Sequence, residues 1–506
     1  MTVEELHPTD VDPDALEVDV LVIGAGISGI GAACRLAQHR PELDVRIVER
    51  RQRIGGTWDL FRYPGIRSDS DMFTFGYDFA PWTQAKVLAD GPSIREYVEQ
   101  TAARYGVTDR IDFGITVRHA SWSTEEQRWS LLATDDTGAE RHYVARFVVG
   151  CTGYYDFDHG YRPEFPDETA FRGTIVHPQH WPEDLDYRGK RVAVIGSGAT
   201  AVTLVPNMAE DTAHITMIQR SPTYVVPLPA VNRAAAVAMR FLPEKPLFAA
   251  VRTAAAVGGR VVFGATRTFP GTTKRALTRV AAGRLRPEID IKHFTPSYKP
   301  WDQRICVVPD GDLFKSLNSG AASIVTGTIE KFTPTGVQMT SGEHVDADII
   351  VTATGLNVQF NGGIDVLVDG EPVVVADRLT YKAVMLEGVP NALFIFGYTN
   401  ASWTLKVGLA THYLTRLLGY MANRGYGVVV PTADGAPTSD ETVFGSLTAG
   451  YVLRAADTLP KQGRSGVWKV RHDYVADYVA LRLRPIADDA LHFTPAKSRR
   501  RARVKG

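Results

Sequence analysis

Two parts of the chain carry a continuous apolar run, a glycine-rich turn, and then apolar residues at helical spacing. In the first part the run covers 18–23, where Asp19 is the one polar residue, and the turn contains Gly24, Gly26 and Gly29. A short apolar run without alternation predicts a strand that is buried on both faces. Apolar residues on one helical face predict an amphipathic helix after the turn. The segment is therefore predicted to form the strand, turn and helix that open a parallel α/β unit.

The glycine spacing of this first turn is typical of dinucleotide binding. Gly24 permits the tight turn, Gly26 lets the backbone approach a pyrophosphate, and Gly29 lets the helix pack closely on the strand. The positive end of the helix dipole then faces the phosphates. The next predicted strand ends at Glu49, whose carboxylate can accept hydrogen bonds from ribose hydroxyls. We therefore expect a nucleotide whose ribose hydroxyls are free.

A second turn of the same type follows the apolar run 192–195. Its residues are Gly196, Ser197, Gly198, Ala199, Thr200 and Ala201. The strand after this turn ends in Arg220 and Ser221 instead of an acid. A guanidinium can bind a 2′-phosphate in a bidentate fork, whereas a carboxylate would repel it. The second turn is therefore predicted to bind NADP, with a solvated strand-end arginine as the alternative interpretation of Arg220.

Length, charge and cysteine content narrow the class of protein. A chain of 506 residues that is 44% hydrophobic is expected to form about two or three globular domains. The net charge of -1 argues against a nucleic-acid binder. Cys34, Cys151 and Cys306 are far apart in the sequence, so neither a metal centre nor a dithiol redox pair is predicted. The acidic N-terminus lacks a signal-peptide pattern. We therefore expect a cytoplasmic enzyme that transfers electrons between two nucleotides.

Two further segments carry a family resemblance. The segment 50–70 contains Gly55-Gly56-Thr57-Trp58, then Tyr63-Pro64-Gly65, then Asp69. It resembles the flavin-binding segment of class B flavoprotein monooxygenases. The segment 171–182 resembles the fingerprint of Baeyer–Villiger monooxygenases. Its defined positions hold Phe171, Gly173, His177, Trp181 and Pro182. The resemblance covers nearly the whole chain, with later motifs similar to those of the subgroup that contains mycobacterial ethionamide-activating monooxygenases.

The resemblance implies an α/β fold with two Rossmann-like dinucleotide-binding domains, one for FAD and one for NADPH. We expect the first part of a discontinuous FAD domain over 1–155. The NADP domain would cover 156–340 and contain a helical insertion at about 225–300. The range 341–506 would supply the return strand of the NADP half, the remainder of the FAD domain and a C-terminal basic tail.

The resemblance also implies which residues surround the flavin. Gly56, Thr57 and Trp58 would bind FAD together with the first turn. Trp403 and Lys406, in a later motif, would line the flavin and nicotinamide region.

The fingerprint would serve as a hinge in the linker between the two domains. His177 and Trp181 would hold the conformation of the linker instead of touching substrate. The alternative interpretation, an ordinary hydrogen-bonded His and a core Trp, differs little from this role.

Two positions depart from the family pattern. Pro178 stands where many relatives have Thr, and Gln303 stands where many have a Lys that helps to hold the NADP phosphate. The second departure makes NADP binding depend more heavily on Arg220.

Arg304 and Asp69 are the candidate catalytic residues, because both occupy positions that match active-site motifs of the family. In that chemistry NADPH reduces FAD, and the reduced flavin then activates O2. An arginine stays protonated at any working pH, so Arg304 would stabilise negative charge that develops on oxygen. Asp69 would be its partner and would orient the guanidinium. For either residue alone, a surface ion pair is the alternative interpretation.

The expected reaction is the NADPH- and O2-dependent conversion of a small-molecule ketone to an ester, with sulfoxidation of thioethers as a side activity. One alternative is an oxygenase that acts mainly on sulfur or nitrogen. A second alternative is a flavoprotein that binds NADP as a sensor without oxygenating a substrate. A disulfide reductase would require a redox-active cysteine pair, and the sequence has none.

The segment 231–287 is strongly basic. It contains eleven Lys or Arg residues against one acid, Glu244. Arginines seven residues apart, at 233 and 240 and at 260 and 267, predict amphipathic helices with a cationic stripe. The end of the chain, 497–506, adds six positive charges. Since no stretch reaches the ~18 uncharged apolar residues of a membrane span, we expect peripheral contact with anionic lipid at most. A solvated helical insertion with a disordered tail is the alternative, and in either case we expect the insertion to cap the substrate cavity.

Overall fold

Two sheets with parallel central strands organise the fold, and each is built around one of the glycine-rich turns. The computed structural model describes residues 15–238 and 241–497. The predicted α/β class is confirmed, because both apolar runs form buried parallel strands and both turns lead into helices. The basic end of the chain beyond Lys497 and residues 239–240 lie outside the described residues.

The first sheet contains the first glycine-rich turn. Its region supplies β1 (Leu16–Ile23), α1 (Ile27–His39), β2 (Val45–Glu49), α2 (Thr57–Leu60), α3 (Met72–Phe75), α4 (Gly91–Arg104), β3 (Ile111–Phe113), β4 (Thr116–Ser123), β5 (Arg128–Thr134), β6 (Glu140–Gly150) and β7 (Tyr155–Gly160). β1 pairs in parallel with β2 and β6. Val20 and Val22 pack in one hydrophobic cluster and Leu21 and Ile23 in another, so both faces of β1 are covered, which explains why this part of the strand is apolar without alternation.

The second sheet lies in the middle of the chain. This region supplies β8 (Thr174–Val176), β9 (Arg191–Ile195), α5 (Ala199–Met208), β10 (His214–Gln219), β11 (Val225–Leu228), α6 (Arg233–Ala238), α7 (Glu244–Thr268), α8 (Pro270–Ala282), β12 (Cys306–Pro309), α9 (Asp312–Ser319), β13 (Ala322–Thr326), β14 (Ile329–Thr333), β15 (Gly336–Met339), β16 (His344–Asp346) and β17 (Ile349–Thr352). The strand order is β13-β10-β9-β17-β8, with parallel pairing throughout.

The last part of the chain returns to the first sheet. It supplies β18 (Leu356–Val358), β19 (Asp365–Val368), β20 (Glu371–Pro372), β21 (Thr380–Tyr381), β22 (Met385–Leu386), β23 (Ala392–Phe394), α10 (Trp403–Arg424), β24 (Tyr426–Pro431), β25 (Thr438–Thr442), α11 (Gly450–Arg454), β26 (Lys461–Gly463), α12 (Tyr474–Tyr478) and β27 (Leu491–Pro495). β23 pairs with β6, and α10 packs on α1. β7 and β18 pair with each other where the chain crosses between the two sheets.

The helices α6 to α8 form an insertion that contacts both halves of the molecule. α7 packs on α3 and α12 of the first half, whereas α8 packs on β11 of the second. The buried side chain of Arg252 fixes α7 in place, because one guanidinium nitrogen donates hydrogen bonds to the carbonyls of Phe73, Thr74 and Gly76. The insertion therefore ties the two halves together.

By length and composition alone, α7 could cross a membrane. Among the described residues it is the one helix that meets this criterion, and only 17% of its most apolar window is buried. A long apolar helix in a soluble protein is normally covered by other elements. The exposure of α7 is therefore unusual for a helix of this composition.

Candidate active site

The first glycine-rich turn has the geometry that nucleotide binding requires. Gly24 adopts a φ of 104°, which strongly favours glycine. A Cβ on Gly29 would lie 1.8 Å from the carbonyl oxygen of Gly24, so only glycine lets α1 start this close to the strand. A Cβ on Gly56 would lie 3.0 Å from the Cα of Gly26. No side chain therefore projects from the backbone at Gly26 or Gly56, on either side of the predicted pyrophosphate position.

Glu49 lies at the end of β2, as predicted, but its carboxylate also closes the turn. One oxygen accepts a hydrogen bond from the backbone N–H of Ala25 at 2.7 Å, and the other accepts one from Arg51 at 2.9 Å. Burial raises the pKa of Glu49, and these two backbone donors partly offset that rise. A carboxylate has further lone pairs, so Glu49 can still accept a hydrogen bond from a ribose.

A cavity of about 330 Å³ opens in front of this turn. Its lining includes Gly24, Gly26, Glu49, Gly56, Thr57, Trp58, Asp69, Arg304 and Trp403. The indole N–H of Trp403 donates to the hydroxyl of Ser28 at 2.8 Å, and its ring stacks on Tyr154 with centroids 5.1 Å apart. These features fit a bound FAD. The glycine turn carries no side chains, the start of α1 at Gly26 has no side-chain cap, and the rings of Trp403 and Tyr154 form one wall of the cavity.

The prediction that Lys406 lines the flavin region is wrong. Its side chain is buried away from both cavities described here, and the ammonium pairs with Asp477 at 2.8 Å. It also donates to the backbone carbonyl of Lys382 at 3.2 Å. Lys406 therefore stabilises the packing of α10 and does not contact a cofactor.

We expect Gly29→Ala to lose most of its bound FAD, because the added methyl group would collide with the Gly24 carbonyl and push α1 away from the strand. The measurement is flavin absorbance per mole of purified protein. Gly198→Ala is the matched control, since a Cβ at that position of the second turn meets nothing within 4 Å. Equal flavin content in the two variants would contradict the role assigned to Gly29.

The second turn faces a larger cavity of about 1010 Å³. Gly196 has a φ of 147°, and a Cβ there would lie 2.3 Å from the carbonyl oxygen of Ala353. The cavity lining includes Gly196, Ser197, Gly198, Ala199, Thr200, Arg220, Ser221 and Gln303. Ala201 is fully buried beneath the turn and lies outside that lining. The start of α5 has no side-chain cap, so its backbone N–H groups are available to a phosphate.

Arg220 and Ser221 lie where a 2′-phosphate would be expected. The hydroxyl of Ser197 donates to the carbonyl of Ser221 at 3.1 Å, which joins the turn to the end of β10. Arg220 is exposed in the cavity and forms no ion pair with any described residue. An unpaired guanidinium beside a bare helix end fits NADP, as predicted for this turn.

The two cavities meet at Asp69 and Arg304, which line both of them. The segment before Asp69 also joins the two halves, because Tyr63 is buried in the core of the second half. Arg304 lies among tyrosines, and its guanidinium is 3.5 Å from the hydroxyl of Tyr154. These neighbours, Tyr154 foremost, hold the pKa of Arg304 above the ordinary arginine value. A permanent cation therefore lies where the two cavities join.

Asp69 and Arg304 are neighbours but not a direct ion pair, which corrects the predicted pairing. No nitrogen of Arg304 lies within 4.0 Å of the Asp69 carboxylate. Burial raises the pKa of Asp69 to about 6, and Arg67 opposes this rise more strongly than Arg304 does. Arg67 is therefore the main cation that favours the ionised form of Asp69.

Arg67 is a site residue that the sequence interpretation missed. Its side chain is 8% exposed and pairs with Asp312 at 3.0 Å. Its Nε and Nη2 atoms are buried, have no hydrogen-bond partner among the described residues, and belong to a side chain that lines the first cavity. Buried guanidinium nitrogens are normally satisfied, so they fit a bound polar ligand. The position of Arg67, two residues before Asp69, was the only signal in the sequence.

The fingerprint residues lie at the crossing between the halves and line neither cavity. The ring of His177 lies 3.2 Å from the carbonyl oxygen of Gly355, and it packs so closely on Gly160 that no larger residue would fit there. Burial lowers the pKa of His177, which favours the neutral form of the ring. Phe171 packs edge-on against Phe332.

Gly173 and Trp181 of the fingerprint pack on the second half. A Cβ on Gly173 would lie 2.2 Å from the carbonyl oxygen of Asp348. Trp181 packs against the core of the second sheet. This placement is consistent with the expected role in the linker, and none of the four residues is positioned to touch a substrate.

The chain is similar to known flavin-dependent monooxygenases over most of its length. Residues 17–233 match the flavin-binding monooxygenase-like family. The chain is 50% identical over 483 residues to the putative FAD-containing monooxygenase MymA of Mycobacterium tuberculosis, covering 94% of this chain and 98% of that protein. It is 48% identical over 477 residues to the probable FAD-binding monooxygenase AlmA of Acinetobacter baylyi, covering 94% and 96%. The chain belongs to the flavin-binding monooxygenase family.

Solved structures share the fold. An oxidised steroid monooxygenase bound to NADP aligns with a TM-score of 0.75 at 23% identity, over 95% of this chain and 100% of that chain. A cyclohexanone monooxygenase bound to ε-caprolactone aligns with a TM-score of 0.73 at 21% identity, over the same shares of the two chains. The predictions of a flavin-dependent monooxygenase and of FAD and NADP as cofactors are confirmed at the level of the family.

Proposed function

We propose that the protein converts small-molecule ketones to esters with NADPH and O2, and that it oxidises thioethers as a side reaction. The observation that carries the proposal is the position of Arg304, a permanent cation at the junction of the two nucleotide cavities. Insertion of oxygen beside a carbonyl places negative charge on oxygen, and a fixed cation stabilises it. The cyclohexanone monooxygenase of similar fold is known in a form bound to cyclohexanone.

When bound, FAD and NADPH would supply the hydride transfer and the activation of O2. The chain's residues would control the surroundings. Arg304 offers positive charge without giving up a proton. Tyr154 holds its hydroxyl 3.5 Å from that guanidinium while its ring stacks on Trp403. Phe263 of α7 and Trp301 both line the second cavity and pack edge-on, with centroids 5.3 Å apart. These apolar rings would limit the water that the cavity holds when the cofactors are bound.

Product analysis with a substrate panel tests the proposal. Purified protein would receive NADPH, O2 and matched ketones and thioethers of equal chain length, with products identified by mass spectrometry. We expect esters as the main products and sulfoxides as minor ones. Sulfoxides without any ester would establish a heteroatom oxygenase instead. NADPH oxidation that no compound stimulates would favour a sensor, because binding alone needs no turnover.

The activity should fall as the pH decreases through about 6, the pKa of Asp69. The buried carboxyl takes up a proton in that range, and its negative charge no longer balances the nearby positive charges of Arg67 and Arg304. Arg67→Met should move this acidic limb to higher pH, because Arg67 is the largest influence that lowers the pKa of Asp69. The measurement is the pH profile of ester formation at saturating NADPH.

Arg67→Lys is the control for this prediction. It retains the positive charge, so its acidic limb should stay close to that of the wild type. An acidic limb that is identical in Arg67→Met and in the wild type would contradict the coupling between Arg67 and Asp69. Flavin absorbance would be recorded for each variant, so that a loss of cofactor is not read as a change in pKa.

A further inference from the structure

The outward face of α7 is apolar along its length. Ala250, Ala254, Val257, Val261 and Ala265 recur at helical spacing and are all exposed. Val261 is 60% exposed and its neighbour in sequence, Val262, is 57% exposed. An apolar stripe normally faces the core of a protein. Here it faces outward.

Exposed apolar residues continue on both sides of this stripe. Ten of the 16 large hydrophobic residues that are strongly exposed among the described residues fall between 228 and 280. Phe241, before α7, is 80% exposed, and Phe269, after it, is 63% exposed. Scattered exposed hydrophobic residues are ordinary, whereas a contiguous group indicates a binding surface. We call the exposed apolar residues of α7, together with Phe241 and Phe269, the outer face.

Arg260 and Arg267 lie on one side of α7 with side chains 52% and 37% exposed, but each is paired with an acid, so the predicted cationic stripe offers no free charge on this helix. Arg252 is buried against the carbonyls near α3. Arg260 pairs with Asp473 at 2.6 Å, and Arg267 pairs with Asp302 at 2.8 Å. All three would have to leave their partners if α7 crossed a bilayer. The helix is therefore fixed to the protein along one side and can only lie on a surface with the other.

Unpaired positive charge lies on α8, the helix that follows α7 and packs against it. Arg275 and Arg279 are exposed on the same side of this helix as Ala276 and Val280. Neither arginine forms an ion pair with a described acid. The surface thus combines apolar residues with nearby unpaired cations, the combination that amphipathic helices use at a membrane interface.

We propose that the outer face docks on an anionic lipid bilayer. The valines and phenylalanines would enter the boundary between headgroups and acyl chains, and Arg275 and Arg279 would bind lipid phosphates. A second copy of the chain is a poorer partner. Two-fold pairing through this face would place the same unpaired arginines of both copies near one another. The docking is independent of the reaction proposed above.

A fluorophore on the outer face tests the contact directly. Cys34, Cys151 and Cys306 are all buried, so Val262→Cys can be labelled selectively with an environment-sensitive nitrobenzoxadiazole. Val374→Cys is the matched control, because Val374 is 55% exposed and lies outside the insertion. With vesicles of phosphatidylglycerol and phosphatidylcholine, we expect the emission of the label at 262 to increase and shift to the blue. The label at 374 should not change.

Flotation of the holoenzyme with the same vesicles measures binding. It should be strong at about 50 mM salt and fade by about 500 mM, since salt screens the arginines. The variant Val257→Ser/Val261→Ser/Val262→Ser should bind at least about tenfold more weakly, and Arg275→Gln/Arg279→Gln should lose the preference for anionic lipid. Val374→Ser should bind like the wild type. Flavin content and turnover of a water-soluble ketone should stay unchanged in all variants, which shows that they fold.

Three results would overturn the proposal. The first is no flotation of the wild type at low salt. The second is unchanged flotation of the triple serine variant. The third is a dimer in sedimentation experiments without lipid that the triple serine variant abolishes, because the outer face would then be a contact between copies.

Discussion

Arg304→Ala is expected to lower ester formation by about 10²–10³, the usual cost of removing one preorganised electrostatic stabiliser. FAD should remain bound, because its cavity is built mainly by the first glycine-rich turn, Glu49 and Trp403. NADPH oxidation can continue at a reduced level, since oxygen can still be released as hydrogen peroxide. The measurements are ester yield, NADPH consumption and flavin absorbance on the same preparation.

Arg304→Lys separates charge from geometry. An ammonium keeps the positive charge but lacks the planar fork, and it would reach the hydroxyl of Tyr154 differently. Partial recovery of ester formation is therefore expected. Ketone oxygenation by Arg304→Ala near the rate of the wild type would refute the proposed role, whatever happened to NADPH consumption.

Arg220→Ala is expected to erode the preference for NADPH over NADH. Arg220 is unpaired in the second cavity, and loss of a hydrogen bond to a charged group costs roughly 1.5–3 kcal/mol, or about ten- to a hundredfold in affinity. The change should appear in KM for NADPH and leave KM for NADH nearly constant. Kinetics with both nucleotides measure it.

Arg188→Ala is the matched control for Arg220→Ala. Arg188 is an exposed arginine of the same half and does not line the cavity, so its loss should leave the nucleotide preference unchanged. Equal use of NADPH and NADH by the wild type would show that Arg220 does not select the 2′-phosphate.

The parts of the site that the sequence predicts are those that local backbone geometry determines. Gly24 and Gly196 adopt φ values of 104° and 147°, which favour glycine, and Gly29 lies against the carbonyl of Gly24, only five residues earlier. A regular spacing was therefore enough to locate both nucleotide turns and the α/β fold around them. Arg304 and Asp69 were located by motif, and the structure brings them to the junction of the cavities.

The parts that the sequence did not predict depend on partners far away in the chain. Arg260 and Arg267 have the spacing of an exposed stripe and are exposed, yet each is neutralised by an acid, Asp473 or Asp302. Lys406 was assigned to the flavin region by its motif, but Asp477 holds it in the core. Such pairings arise only when elements pack, and no local pattern records them.

The first sheet is divided between the two ends of the chain, and this has a consequence for the order of folding. Val148 of β6 pairs with Ala392 of β23, and α1 is covered by α10. The second sheet, by contrast, is complete once the chain reaches β17. On the ribosome the middle of the protein can thus fold before the N-terminal half finds its covering helix. Until α10 emerges, the apolar side of α1 lacks that cover and is open to chaperones or to aggregation.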